Sequence, residues 1–343
     1  GLRPNIGIRG ATAERSSNVT LMEDGILIAP APYSNPAAYY FPTFKRMSSL
    51  EVLKGAPLLR YGPQTTGGVI NLISTPIPDE QKGYVEAVTN ERGSTDVHAT
   101  YGDTNGDWGY LVETVQRSAQ GFKDIDRSNR NSGFDISDYV GKLRWQGERQ
   151  SVTAKLQYSE ETSNSTYVGL TDADFNQDPN RRYGLSSLDQ MDNTHSGVSL
   201  THQFEWSDNV SSTTTLYRND FKRNWYKLSG AGNIIDQANA GDANAQGILD
   251  GTIDASGLEY KNNARDYLSQ GVQTNFDVNI GNHEFDFGAR VHEDEMDRFQ
   301  PVDVYDQVNG SLVFQNSVAP TGSNNRFETG EALSFWALDK WQA

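Results

Sequence analysis

Few residues of this sequence stand in a pattern that bond-making chemistry requires. There is no cysteine, which excludes thiolate nucleophiles, disulfides and cysteine-based zinc sites. The five histidines, His98, His195, His202, His283 and His292, are scattered. No Ser/His/Asp set, phosphate loop or two-histidine helix motif accompanies them. His292-Glu293-Asp294-Glu295 with Asp297 offers hard oxygen ligands of the kind calcium takes. Successive strand residues point to opposite faces, however, so the group reads as a solvated loop base. Asp242-Ala243-Asn244-Ala245-Gln246-Gly247 opens like a calcium loop, but Ile253 stands where a bidentate Glu belongs. Paired carboxylates abound, yet spacing alone names no acid–base pair. These residues predict no enzyme and no resident metal or cofactor.

Composition narrows the class. Lys plus Arg number 29 against 45 Asp plus Glu, a net charge of −16. A nucleic-acid partner, which needs a basic face, is not expected. No stretch approaches the ~18 apolar residues of a transmembrane helix, and the first residues lack the basic start and apolar run of a signal peptide. Low mean hydropathy fits a soluble protein, and equally a transmembrane β-barrel, whose strands bury only one face in lipid.

The elements that must position any site fall into two regions. Residues 1–80 are rich in Gly, Pro and turn signals between short apolar runs at 18–21, 50–53 and 69–73, which read as short strands. Residues 41–47 predict one or two helical turns, and 76–79 mark a boundary. From residue 83 to 343 the chain alternates with a period of two. Tyr139, Gly141, Leu143 and Trp145 oppose Val140, Lys142, Arg144 and Gln146, and Phe285, Phe287, Ala289 and Val291 oppose Glu284, Asp286, Gly288 and Arg290. Short turns near 102–106, 147–149, 207–209 and 281–282 alternate with long polar loops near 117–132, 161–193, 224–264 and 295–330. Tight turns at one end and long loops at the other are the pattern of outer-membrane barrels. The predicted fold is mainly β: a transmembrane antiparallel β-barrel over residues 83–343, preceded by a separate region of short strands and turns, residues 1–80. About ten strands are legible, part of a larger even number, and an open sheet cannot sit in a bilayer. The chain is therefore expected to be a piece of a longer protein.

The first region is specific. Ile8-Arg9-Gly10, then Val19-Thr20-Leu21-Met22-Glu23-Asp24-Gly25 and Ala31-Pro32-Tyr33 resemble the plug of TonB-dependent outer-membrane receptors. Glu51-Val52-Leu53-Lys54-Gly55, Arg60-Tyr61-Gly62-Pro63-Gln64 and Gly67-Gly68-Val69-Ile70-Asn71-Leu72-Ile73 follow in the same order. The likeness is greatest to the ferric dicitrate branch, and Gly169-Leu170-Thr171-Asp172-Ala173-Asp174-Phe175 and residues 334–340 continue it. The resemblance implies that residues 1–80 are an N-terminal α+β plug inside the barrel lumen, where Arg9 and Arg60, with Glu51, are charges suited to pairing.

The resemblance implies that a chelate is held where the apical plug segments, 11–17 and 28–40, meet the extracellular half of the barrel. It places Tyr33 at that apex. Tyr39 and Tyr40 follow, with two roles open: contact with the ligand or packing of the plug against the wall. Ferric citrate is anionic, and arginine reads carboxylates through its planar fork. By similarity the barrel candidates are Lys222 or Arg223 at the start of the 224–264 loop, Lys261 or Arg265 at its end, and Arg326 near the end of the 295–330 loop. Arg15 is added from its place on the apex. The implied function is TonB-dependent uptake of ferric citrate or a similar carboxylate siderophore across the Gram-negative outer membrane, with iron present only as part of the cargo. The implied partners are the chelate, outer-membrane lipid, and TonB, whose contact segment is expected outside this chain. The alternative is a passive or adhesive barrel that binds no chelate tightly.

Overall fold

The computed structural model describes residues 2–55, 58 and 60–342. Its first strands are β1 (Thr20–Glu23), β2 (Ile26–Leu27), β3 (Met47–Leu53) and β4 (Val69–Ser74), ordered β2-β1-β4-β3, with β1 and β4 parallel. Asp24 and Gly25, at φ 51° and 78°, make the tight reversal between β1 and β2. Strand β1 is buried on both faces, because the small sheet is enclosed. Between β2 and β3 the predicted helical turns reduce to a single 3₁₀ turn, Phe44–Arg46.

The rest of the chain forms β5 (Lys82–Thr89), β6 (Thr95–Asn105), β7 (Trp108–Ala119), β8 (Asp124–Ile125), β9 (Phe134–Gln146), β10 (Gln150–Ser163), α1 (Asp172–Gln177), β11 (Arg181–Arg182), β12 (Gln190–Ser207), β13 (Val210–Leu228), α2 (Ala231–Asn239), α3 (Ala243–Asp250), β14 (Ala255–Ile280), β15 (His283–Phe299), β16 (Val302–Val308), β17 (Ser311–Val318) and β18 (Asn325–Trp341). Strands β5, β6, β7, β9, β10, β12, β13, β14, β15 and β18 pair antiparallel in succession as the wall. Among the described residues, β5 and β18 each pair with one neighbour.

Alternation sets the two faces of the wall. Leu143, Leu156, Leu216, Val272, Val291 and Leu333 point outward and are exposed, with Trp108, Trp206 and Trp341 near the short-turn end. This is the apolar band and aromatic girdle of a membrane-spanning barrel. The inner face shares a core with the small sheet: Leu21, Ile28, Tyr39 and Tyr40 pack with Met191, Phe221, Tyr267 and Met296 of the wall. The plug therefore lies in the lumen.

The strands outrun the sequence reading. Residues read as loop at 224–228, 255–264, 295–299 and 325–330 continue β13, β14, β15 and β18, and the remaining stretch between β15 and β18 holds the β16–β17 hairpin. The physical reason is that a strand standing above the lipid has polar residues on both faces, so its period of two vanishes from the sequence. The calcium-like groups also take structural roles. Asp242 caps α3, accepting from the backbone N–H of Asn244 at 2.8 Å and of Ala245 at 3.2 Å. His292 and Asp294 belong to the wall rather than a loop base, and Asp294 accepts from the backbone N–H of Tyr33 at 2.7 Å and of Ser34 at 3.1 Å.

Candidate ligand-binding site

Strand register builds the site. Arg223 on β13 is paired with Arg265 on β14, Arg265 with Arg298 on β15, and Arg298 with Arg326 on β18. All four share the inward parity of their strands, so they form one row across the lumen face. At about 4.8 Å between strands the row spans roughly 14 Å. On the other arc of the wall the same level runs through Asn193, Glu161, Ile136, Arg117 and Asp96. There the charges are matched: Arg117 bonds Asp96 at 3.2 Å and Glu161 accepts from Arg3 at 2.6 Å.

The row itself is poorly matched. Arg223 is only 2 % exposed. Its guanidinium lies 3.6 Å from the Tyr39 ring centroid and donates one long bond, 3.4 Å, to Asn263 Oδ1. Arg265 donates to the Tyr267 hydroxyl at 3.3 Å, and Arg298 to the Ser323 carbonyl at 3.2 Å. Among the described residues, Arg223 Nε and Nη1, Arg265 Nε and Arg298 Nε are buried without a hydrogen-bond partner. One carboxylate reaches the row, Glu328, which bonds Arg326 at 2.8 Å. Buried donors without acceptors are costly, and a ligand bearing several carboxylates would supply the acceptors.

Arg15 joins this set from the plug side, 5.2 Å from the same Tyr39 ring. Lys261 faces the same way further up β14 and donates to Asn324 at 2.6 Å. Three candidates go elsewhere. Lys222 points outward and lies 3.5 Å from Asp266, two-thirds exposed. Tyr33 packs on the wall below the row, its ring 4.8 Å from His292 and its hydroxyl 3.3 Å from Ser334 Oγ. Tyr40 stacks on His195 at 3.7 Å and accepts from Arg46 at 3.2 Å. Arg298 was missed, and counting parity upward from His292 and Asp294 would have found it.

A second buried cluster ties the plug to the wall. Arg46 donates to Asp138 at 2.8 Å and makes a two-point pair with Glu23. Lys155 of the wall contacts Glu23 and bonds Asp24 at 2.7 Å. Burial alone would raise the Glu23 carboxyl; Arg46 and Lys155 override it and hold the group far below the usual carboxylate range. Nearer the short turns, Arg60 pairs with Asp286 of the wall, Glu51 accepts from Asn71 at 2.8 Å, and Arg9 lies exposed.

A plug enclosed by a lipid-banded antiparallel wall defines the class: a Gram-negative outer-membrane β-barrel with an internal plug. Residues 1–69 match the TonB-dependent Receptor Plug Domain. A curated relative, the probable TonB-dependent siderophore receptor PirA of Acinetobacter baumannii, is 26 % identical over 197 residues, which cover 50 % of this chain and 24 % of that one. Among solved structures, the ferric citrate transporter FecA in its unliganded form superposes with a TM-score of 0.70 at 20 % identity, over 99 % of this chain and 47 % of that one. The siderophore receptor PiuA from Acinetobacter baumannii gives 0.66 at 14 % identity, over 99 % and 50 %. The pyoverdine receptor FpvA from Pseudomonas aeruginosa, bound to pyoverdine, gives 0.66 at 13 %, over 97 % and 48 %. In its first 69 residues and in its fold the chain is similar to the TonB-dependent receptors. It spans about half the length of these structures.

Proposed function

We propose that this protein takes up an anionic ferric chelate, ferric citrate or a similar carboxylate siderophore, in a TonB-dependent manner. Residues 1–80 are then the plug and residues 83–343 the wall with its extracellular connections. Iron is cargo carried by the chelate, and TonB is the energy-coupling partner. The observation that carries the reading is the row Arg223–Arg265–Arg298–Arg326 on one lumen face: Arg223 is buried, Arg265 and Arg298 are half-buried, and these three keep buried donors without a partner, each able to fork onto a carboxylate. A passive barrel has no use for such a row. Arg15 and Lys261 add positive charge at its margins, and Tyr39 holds Arg223 by its ring face. Tyr33 and Tyr40 fit better as plug-to-wall contacts, and Lys222 as a solvated outer charge.

Equilibrium binding of ferric citrate and other carboxylate chelates to the purified protein tests this. Dissociation constants below ~10 μM, about −7 kcal/mol, are expected for at least one of them. Binding no tighter than that across the set, or binding indifferent to loss of Arg223, Arg265 and Arg298, overturns the reading.

A further inference from the structure

We infer that Lys227, held on two aromatic rings above the arginine row, is a further ligand-binding residue whose ammonium closes on an anionic oxygen of the chelate. The inference rests on the anion-binding reading of the row and extends it to the next cation along β13.

Strand parity places it. Trp225 and Lys227 lie two and four residues beyond Arg223 on β13 and share its lumen-facing parity. Lys227 is the register partner of Lys261, as Arg223 is of Arg265. A second pair of cations thus stands above the row, about 13 Å further along the strand, a gap that the long side chains of Arg223 and Lys227 can narrow to the reach of one chelate with several carboxylates. Arg15 of the plug bridges the two levels. It lies 5.2 Å from the Tyr39 ring that also carries Arg223, and its charge acts on Lys227.

The ammonium is poorly provided for. Lys227 Nζ lies 3.2 Å from the centroid of the Tyr167 ring and 4.2 Å from that of Trp225. The rings attract the charge but give none of its three N–H donors an oxygen. Among the described residues no carboxylate pairs with Lys227, whereas Lys261 donates to Asn324 at 2.6 Å. The acid that acts on it most strongly is Asp189, whose oxygens already accept from the backbone N–H of Tyr167 at 2.7 Å and of Leu228 at 3.4 Å. Trp225 Nε1, between Lys227 and Arg223 on the same face, is likewise buried without an acceptor among the described residues. An anionic ligand resting on the row would meet donors at both levels.

The same surroundings tune the charge. Burial disfavours the ammonium, Arg15, Arg223 and Lys261 repel it, and Asp189 opposes them, which brings the Lys227 pKa down to about 8 from an ordinary 10.5. An arriving carboxylate offsets the three cations, so Lys227 draws a proton from the medium as the complex forms. Below pH 8 the ammonium is in place and anion affinity is full; as pH rises through 8 the charge and its share of the affinity are lost.

Isothermal titration of the intact protein with ferric citrate, in two buffers of different ionisation heat (Hepes and Tris), reads affinity and protons together. At pH 8 the wild type should take up about half a proton per chelate more than Lys227→Arg, whose charge persists at every pH. Between pH 7 and 9 the wild-type affinity should fall about tenfold relative to Lys227→Arg measured with the same ligand. Lys227→Gln should bind about tenfold more weakly than the wild type at pH 7 and should lose the extra pH dependence. The comparison with Lys227→Arg decides the matter even if Lys227→Gln does not fold. Equal proton uptake in the wild type and Lys227→Arg, or a folded Lys227→Gln that binds within about twofold of the wild type, overturns the assignment while the arginine reading stands. A wild type that binds no carboxylate chelate overturns the anion reading and the assignment with it.

Discussion

Arg46 and Arg223 are equally buried, 1 % and 2 % exposed, yet their surroundings are opposite. Arg46 has two carboxylates and a hydroxyl around its guanidinium, and those partners hold its proton more firmly although burial works against the charge. Arg223 has an aromatic ring, one long bond and, across the strand, another arginine. A buried charge that satisfies itself is joining two parts of a fold. A buried charge that does not is waiting for something to arrive. The two arcs of the lumen repeat this at one level: matched on β6–β12, unmatched on β13–β15.

The sharpest way to break the contrast is stability. Arg46→Ala strands the Glu23 and Asp138 carboxylates and should cost about 3–5 kcal/mol in urea unfolding from lipid vesicles. Arg223→Ala should cost less than about 1 kcal/mol, since it removes an unpaired buried charge; equal losses would erase the distinction. Binding should show the reverse. Arg223→Gln, Arg265→Gln and Arg298→Gln should each weaken ferric citrate by about 1.5–3 kcal/mol in equilibrium titration. Lys222→Gln, one residue along but facing out, should leave affinity within about twofold, the behaviour of an exposed ion pair.

Next comes Asp189, buried where its carboxylate accepts from the backbone N–H groups of Tyr167 and Leu228. Burial pushes its carboxyl up to about 6 from an ordinary 3.8, against the pull of the Tyr167 and Leu228 amides and Lys227; Arg130 is the other cation facing it. The folded protein thus binds this proton more tightly than the unfolded chain does. Stability should be greatest below about pH 4, fall by about 2 kcal/mol as pH rises to 6, and level off above. Exchange of the amides of the β10–β12 connection between pH 4.5 and 7 reads this, and Asp189→Asn should flatten the curve. The smallest effect belongs to Tyr39. Tyr39→Leu should lose about 1 kcal/mol of ferric citrate affinity through Arg223, while Tyr39→Phe, which keeps the ring face, should lose little.

Much of this was legible before any coordinates. The period of two from Tyr139 to Trp145 and from Phe285 to Val291 fixed which residues face lipid, and the alternation of short and long connections fixed which end is which. The glycine-punctuated blocks of the first 73 residues named the plug. Arg223, Arg265 and Arg326 were singled out, but not as a row, because register is set by pairing that no single strand reveals. Arg298 was lost because Met296 and Arg298 alternate with Asp297 and Phe299, a pattern without an apolar face. Lys222 was admitted because its parity was left unused. Nothing in the sequence joins Arg46 to Asp138, 92 residues on, or Arg181 to Asp126 and Asp250, 55 and 69 residues away.

The arginine row stands clear of the apolar band. Leu216, Val272, Val291 and Leu333 are register partners and form the top rung of the greasy band. Arg265 stands seven residues beyond Val272 on the same strand, about 18 Å higher for a strand tilted near 40°. That is roughly two Debye lengths at ~8 Å each, so the head groups of the bilayer scarcely act on the row. Outside it, Asp220, Asp266, Glu293, Glu295, Asp297 and Glu331 outnumber Arg218 and Lys222, so the same stretch of wall carries a net negative coat. The pull of the arginines is thereby turned toward the interior, and an anion approaching from the side meets the acidic outer wall first.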